Sequence, residues 1–258
     1  MCQACHEDIA KIFAKASRHA RLESDTHRGW SGYACEACHG PGAKHAETVD
    51  PAFIRQPAKL SAAQADQVCL ACHANQSPRA GRVISGHARN TVSCVSCHRV
   101  HAETSRPEHA AGVNKLCSGC HTSQRAAFNR PHAHRVNQNA MSCADCHDPH
   151  GAFLGKGTAL GEPSCLRCHG DKRGPFSYEH APVRFEGCQG CHEPHGSANP
   201  RMLTRPSVSQ LCLECHTSTM AAGGIPPAFH DLRSARYRNC TVCHQKIHGS
   251  HADRAFLR

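Results

Sequence analysis

Twenty cysteines fall into ten copies of one five-residue pattern, C-x-x-C-H, and every copy ends on a histidine. The copies are Cys2, Cys5, His6; Cys35, Cys38, His39; Cys69, Cys72, His73; Cys94, Cys97, His98; and Cys117, Cys120, His121. They continue as Cys143, Cys146, His147; Cys165, Cys168, His169; Cys188, Cys191, His192; Cys212, Cys215, His216; and Cys240, Cys243, His244. Two thiols at this spacing form thioethers to a porphyrin, and the adjoining imidazole becomes the first axial ligand of its iron; this is the c-type haem pattern. No cysteine is left over, so the chain is read as carrying ten covalently attached haems. Zinc is the competing chemistry for C-x-x-C pairs, but zinc sites join two such pairs and do not require a histidine after every second cysteine.

Each iron has a sixth position to fill. Of 24 histidines, ten belong to motifs and fourteen do not. Their placement recurs in the chain. The second motif of each successive pair is followed closely by His45, His101, His150, His195 or His248, and preceded by His87, His134, His180 or His230, with His19 or His27 in the first pair. Five before and five after equal the ten irons, while His109 and His251 fall outside the pattern. Methionine is the usual alternative ligand and raises the potential, yet Met1, Met141, Met202 and Met220 occupy no recurring position. All ten haems are therefore read as bis-histidine and low-potential. A multihaem reductase would keep one iron open, often in a departing motif; none of the ten departs, and no acid-base constellation stands beside one. Electron transfer, not catalysis, is the expectation.

The elements that must position these residues are short. Alternate motifs lie 48, 48 and 47 residues apart from Cys69 through Cys117 and Cys165 to Cys212, a period that marks tandem units. The chain reads as one elongated domain over 1–258 built of five two-haem repeats, at about 1–60, 61–110, 111–158, 159–206 and 207–258. One flanking histidine of a repeat is expected to serve the neighbouring haem, locking consecutive porphyrins together. Helical patterns cover 7–22, where Ile9, Phe13 and Ala16 share a face, and 61–73, 113–128 and 207–220. Gly, Pro and Asn clusters at 155–163, 194–200 and 223–227 read as loops, and strands are not evident. The fold class is a multihaem cytochrome c: mostly loops and short α-helices wrapped around a chain of haems, with little or no β structure.

Composition agrees with that class. Ten haems share 258 residues, and the 39% of hydrophobic residues includes cysteines committed to haem, so porphyrin must supply much of the buried apolar surface. Folding free energy should then come with haem attachment, as it does in small metal-dependent domains. The formal charge of +10 would suggest nucleic acid or an anionic surface, but each oxidised bis-histidine haem with its two propionates contributes roughly −1. Basic side chains are expected to pair with those propionates. Covalent haem attachment belongs outside the cytoplasm, which places the chain in a periplasm or at a cell surface, and no charged and apolar leader precedes Cys2, so a secretory signal is expected outside the numbered residues. No run approaches the length of an apolar membrane span.

Several linkers add a family likeness: C-E-A-C-H-G-P-G at 35–42, K-R-G-P at 172–175, E-H-A-P-V at 179–183, C-H-E-P-H-G-S at 191–197 and C-H-Q-K-I-H-G-S at 243–250. With ten motifs in this order, the whole chain resembles the Mtr-type periplasmic decahaem cytochromes of outer-membrane porin-cytochrome conduits. The resemblance implies a cytochrome seated inside a β-barrel porin, linking periplasmic carriers to extracellular cytochromes, metal oxides or ions. It also favours His19 over His27 and His134 over His132 as ligands. A polar, loop-rich chain is tolerated at membrane depth only when enclosed by protein, as a barrel would do, and a row of ten haems outreaches a ~30 Å hydrocarbon core. The alternatives are a subunit of an extracellular cytochrome filament, a free periplasmic shuttle, and a reductase.

Overall fold

Side chains available for packing are few, and the fold that results has almost no apolar interior of its own. The computed structural model describes residues 2–74, 85–101, 109–151, 164–216, 230 and 234–257. Among these, the buried hydrophobic side chains are Ala34, Ala65 and Val136, whereas Ser17, Ser85, Ser93, Asn114, Ser142, Ser197 and Ser250 are buried polar ones. A chain that buries more serine than aliphatic residue is held by hydrogen bonds and by whatever its cysteines and histidines bind.

Local structure is short helices joined by turns: α1 (Glu7–Ala16), α2 (Glu36–His39), α3 (Ala43–Thr48), α4 (Ala62–His73), α5 (Gly86–Arg89), α6 (Cys94–Cys97), α7 (Ala110–Ser118), α8 (Thr122–Ala127), α9 (Ala181–Phe185) and α10 (Val208–Leu213). The described residues contain no strand, only isolated antiparallel bridges at His132 with Ser197, Tyr178 with Ser250 and His192 with Leu203. Contacts divide the chain into two units: Met1–Leu116 with His147–Phe153, and Cys117–Cys146 with Leu154–Arg258.

Helix ends follow the sequence closely. Ser61 and Gln64 form a capping box at α4, with Gln64 N donating to Ser61 Oγ at 3.4 Å and Ser61 N donating to Gln64 Oε1 at 3.2 Å. Ser207 caps α10 in the same way, accepting from Gln210 N. Glu7 and Asp8 open α1 and Lys15 sits in its last turn, both signs favourable to the helix dipole. The helix expected over 7–22 nonetheless stops at Ala16. Ser17 is extended and buried, and its hydroxyl accepts from His19 N at 3.3 Å, starting a tighter 3-10 turn over Arg18–Ser24. A serine hydroxyl competes with the helical backbone in this manner, and the break re-aims His19. The region expected as one helix over 113–128 is α7 and α8, split by the motif histidine His121. The loop clusters at 155–163 and 223–227 and the end of the helix expected over 207–220 lie outside the described residues, while 194–200 is turn and bridge.

Candidate haem-iron ligand pairs

Attachment chemistry begins with the backbone of the motif. In eight motifs the histidine N–H donates to the carbonyl of the first cysteine at 2.9–3.0 Å: His6, His39, His98, His121, His169, His192, His216 and His244. That single closed turn brings the two thiols and the imidazole to one side of the chain, as a porphyrin edge and its iron require. His73 reaches a similar position at the end of α4.

Flanking histidines then face the motif histidines. In the first unit His6 stands 6.2 Å from His45, His19 5.8 Å from His73, His39 5.8 Å from His101 and His98 5.8 Å from His150, measured between ring centroids. In the second, His134 lies 6.3 Å from His169, His180 6.2 Å from His216, His192 6.3 Å from His248 and His230 6.3 Å from His244. An imidazole nitrogen sits ~2 Å from a metal it ligates, so two rings on opposite sides of one ion have centroids ~6 Å apart. All eight distances fit one iron between each pair. Six pairs have ring planes within 20° of parallel; His19 with His73 is at 80° and His134 with His169 at 59°.

A ligating nitrogen must be unprotonated, which the other ring nitrogen enforces by donating elsewhere. His39 Nδ1 meets Arg55 O at 2.8 Å, His45 Nδ1 meets Asp50 O at 3.0 Å, His192 Nδ1 meets Arg201 O at 2.9 Å and His244 Nδ1 meets Ala255 O at 2.5 Å. Carbonyls can only accept, so Nδ1–H donates and Nε2 keeps its lone pair. Burial acts in the same direction, lowering the His19, His101, His180 and His248 pKa values; the facing motif histidine adds to it. These observations fit a neutral imidazole pair of the kind that haem iron takes.

A second set of hydrogen bonds ties flanking histidines to one another. His87 Nδ1 meets Pro149 O at 3.2 Å, His134 Nδ1 meets Pro194 O at 2.9 Å, and His180 is hydrogen-bonded to the backbone of Ile247. Each acceptor immediately precedes the next flanking histidine, His150, His195 or His248. Two residues beyond, His132 pairs through its backbone with Ser197 at 2.8 and 3.2 Å, and Tyr178 with Ser250 at 2.8 and 2.9 Å. His132 thus serves through its backbone. The H-G-S at 195–197 and 248–250 allows this close approach: a Cβ on Gly196 (φ 129°) would lie 2.4 Å from Ala127 O, and one on Gly249 (φ 145°) 2.1 Å from the Phe176 ring.

The remaining members of the expected set are His121 and His147 in motifs and His87 and His195 in the flanks, two of each kind. His27 is exposed, its backbone N–H held by Asp25 at 3.1 Å, and His109 is exposed. His251 contacts Ser177 Oγ at 3.4 Å and the Phe176 ring.

Attachment points of the first four motifs, and of the last five, also adjoin one another in chain order. Cys2 lies close to Cys35, Cys69 to Cys94, Cys165 to Cys188, and Cys212 to Cys240. Cys38 lies close to Cys69 and Cys72, Cys146 to Cys165 and Cys168, and Cys191 to Cys215. Beside His248 a cavity of about 400 Å³ is lined by Lys172, with Asp171 paired to it, and by Lys246, Gln245 and Ser250, and beside His134 one of about 260 Å³ is lined by Arg130 and Arg135. Such cationic and amide groups suit propionate carboxylates.

Comparison with known proteins agrees with the geometry. Residues 134–174 and 180–221 match the family described as "Doubled CXXCH motif", and residues 35–110 match "Cytochrome c-type protein NrfB-like". The chain is 34% identical to the "Multiheme cytochrome MtrA" of Shewanella baltica, over 96% of this chain and 77% of that one. It is 25% identical to the "C-type polyheme cytochrome OmcB" of Geobacter sulfurreducens, over 59% of this chain and 20% of that one.

Proposed function

Because the chain belongs to the MtrA family of multihaem c-type cytochromes, which transfer electrons and are not enzymes, we propose that it carries ten bis-histidine haems and conducts electrons across an outer membrane inside a porin. The observation that supports this reading is the ring pairing, in which each described pair joins one motif histidine to one flanking histidine at 5.8–6.3 Å. Haem, when bound, supplies the one-electron chemistry. The chain's own residues do the rest. Cysteines would fix each porphyrin edge, carbonyl acceptors hold the histidine tautomers, and each motif histidine with its facing flanking histidine would hold one iron. Within each unit, the closeness of cysteines from successive motifs, from Cys2 to Cys94 and from Cys146 to Cys240, supports a conduction path along the chain.

The partners in this reading are an outer-membrane β-barrel porin and redox proteins on its periplasmic and extracellular sides. The location is the periplasm, at or within the outer membrane. No helix among the described residues is long and apolar enough to cross a membrane, and the backbone, rich in turns, would need a barrel to shield it at that depth. The deciding experiment is purification of the mature cytochrome with and without its outer-membrane porin, followed by reconstitution in liposomes holding an electron acceptor. Electron delivery to the enclosed acceptor only when porin and cytochrome are both present supports the conduit. Equal delivery without the porin, or failure of the two to co-purify, would leave a free shuttle as the better reading.

A further inference from the structure

Eight phenylalanines occur in the chain, and three of them share one register: Phe13, Phe128 and Phe176 each follow by seven residues the histidine that closes the first motif of a repeat, namely His6, His121 and His169. Each is half-buried. Phe13 meets His101 edge to face, with centroids 6.5 Å apart and planes at 68°. Phe128 meets His195 at 5.4 Å and 75°. Phe176 occupies the space over Gly249, the residue after His248, and its ring lies 5.3 Å from His251. His101, His195 and His248 are one position of the pattern, the histidine following a repeat's second motif. Twice, therefore, a ring from one repeat packs on the flanking histidine of the next, and a third time the ring in that register lies beside it, over Gly249. Phe256 touches His180 at 5.4 Å outside this register, and the other two repeats have Ala80 and Gly223 there, outside the described residues.

A contact that merely covers surface has no reason to recur at a fixed offset. We propose that Phe13 and Phe128 are positioning residues of the electron path: each fixes the ring plane of a flanking histidine and keeps water from it. The proposal rests on the reading of flanking histidines as axial ligands. An edge-to-face contact resists rotation of the imidazole, because the positive edge of one ring seeks the negative face of the other. The same hydrocarbon ring limits solvent at the ligand, and solvent exposure is one of the terms that set a haem potential. For the pair His39 and His101, Phe13 would thus raise the potential by disfavouring the charged, oxidised iron, and would hold the two imidazole planes near the 12° at which they stand.

The test uses the holoprotein carrying Phe13→Ala, Phe13→Leu or Phe13→Tyr, with Phe53→Ala as a control outside the register. Haem content is counted first, and potentials and low-spin electron paramagnetic resonance signals are then measured. Phe13→Ala is expected to shift one potential of the ten downward and to alter one low-spin signal, Phe13→Tyr to restore both, and Phe53→Ala to change neither. Native potentials and signals in a Phe13→Ala protein with ten haems would overturn the proposal. Should that variant take up fewer haems, Phe13→Leu carries the test, since leucine keeps the bulk and loses the aromatic edge; a native signal there would overturn it equally. His101→Ala separates the two readings: one high-spin iron is expected, and ten low-spin irons would instead remove His101 from the ligand set.

Discussion

A histidine earns its role here through where its two nitrogens point. His19 and His27 are equally available to a reader of the sequence, but His19 sits half-buried with its ring 5.8 Å from His73, while His27 is exposed. His19→Ala is therefore expected to give one high-spin iron in the visible spectrum, and His27→Ala none. His248→Met should raise the potential of one haem and leave nine nearly unchanged; an unchanged redox titration would remove His248 from the ligand set. His132→Ala is expected to leave every iron six-coordinate, since its bridge to Ser197 uses only backbone atoms. Ring planes make a further expectation. Six pairs are near parallel, but His19 with His73 and His134 with His169 are strongly crossed, and crossed imidazoles leave the iron d orbitals they overlap close in energy. Electron paramagnetic resonance of the oxidised protein should resolve two classes of low-spin iron, and a single uniform class would contradict the crossed planes. The motif histidines can be picked out from the sequence because the C-x-x-C-H pattern spans only five residues. Which flanking histidine faces which is not legible there, because the partners are distant: His39 and His101 are 62 residues apart.

At the scale of elements, short helices present motifs and close approaches between loops align them. α4 carries Cys69, Cys72 and His73 behind a capping box at Ser61. Ser61→Ala should cost about 1 kcal/mol, read as a lower melting temperature in the Soret circular dichroism band, with haem count unchanged. The Tyr178–Ser250 bridge depends on Gly249, where any side chain meets Phe176 and an unfavourable φ. Gly249→Ala is expected to destabilise the protein by about 1–3 kcal/mol, while Gly170→Ala, which faces open space, should be nearly silent in the same melt. The caps at Ser61 and Ser207 and the loop at 194–200 were readable in advance because capping and turn chemistry are local. The stop of α1 at Ser17 was not: the apolar spacing of Ile9, Phe13 and Ala16 continues to favour helix, and only the burial of Ser17 shows why its hydroxyl takes the backbone instead.

For the whole molecule, the scarcity of buried apolar residues means that haem is part of the fold. A chain expressed without haem attachment is expected to be largely unfolded by far-ultraviolet circular dichroism, and the holoprotein ordered. Twenty propionates on ten haems should also offset the formal +10 of the polypeptide, so the isoelectric point of the holoprotein is expected well below that of the bare chain. The sequence by itself determined the covalent c-type haem chemistry, the supply of histidines and the loop-and-short-helix class, because each follows from spacing within a motif or from composition. Tertiary structure alone decided how the histidines meet. His101 lies three residues from His98, yet its ring faces His39, while His98 faces His150. Two rings must approach one iron from opposite sides, and the tight turn after a motif cannot carry the chain around a porphyrin. In the proposed reading the sixth ligand would come instead from a neighbouring segment, and hydrogen bonds such as His87 to Pro149 tie such segments together.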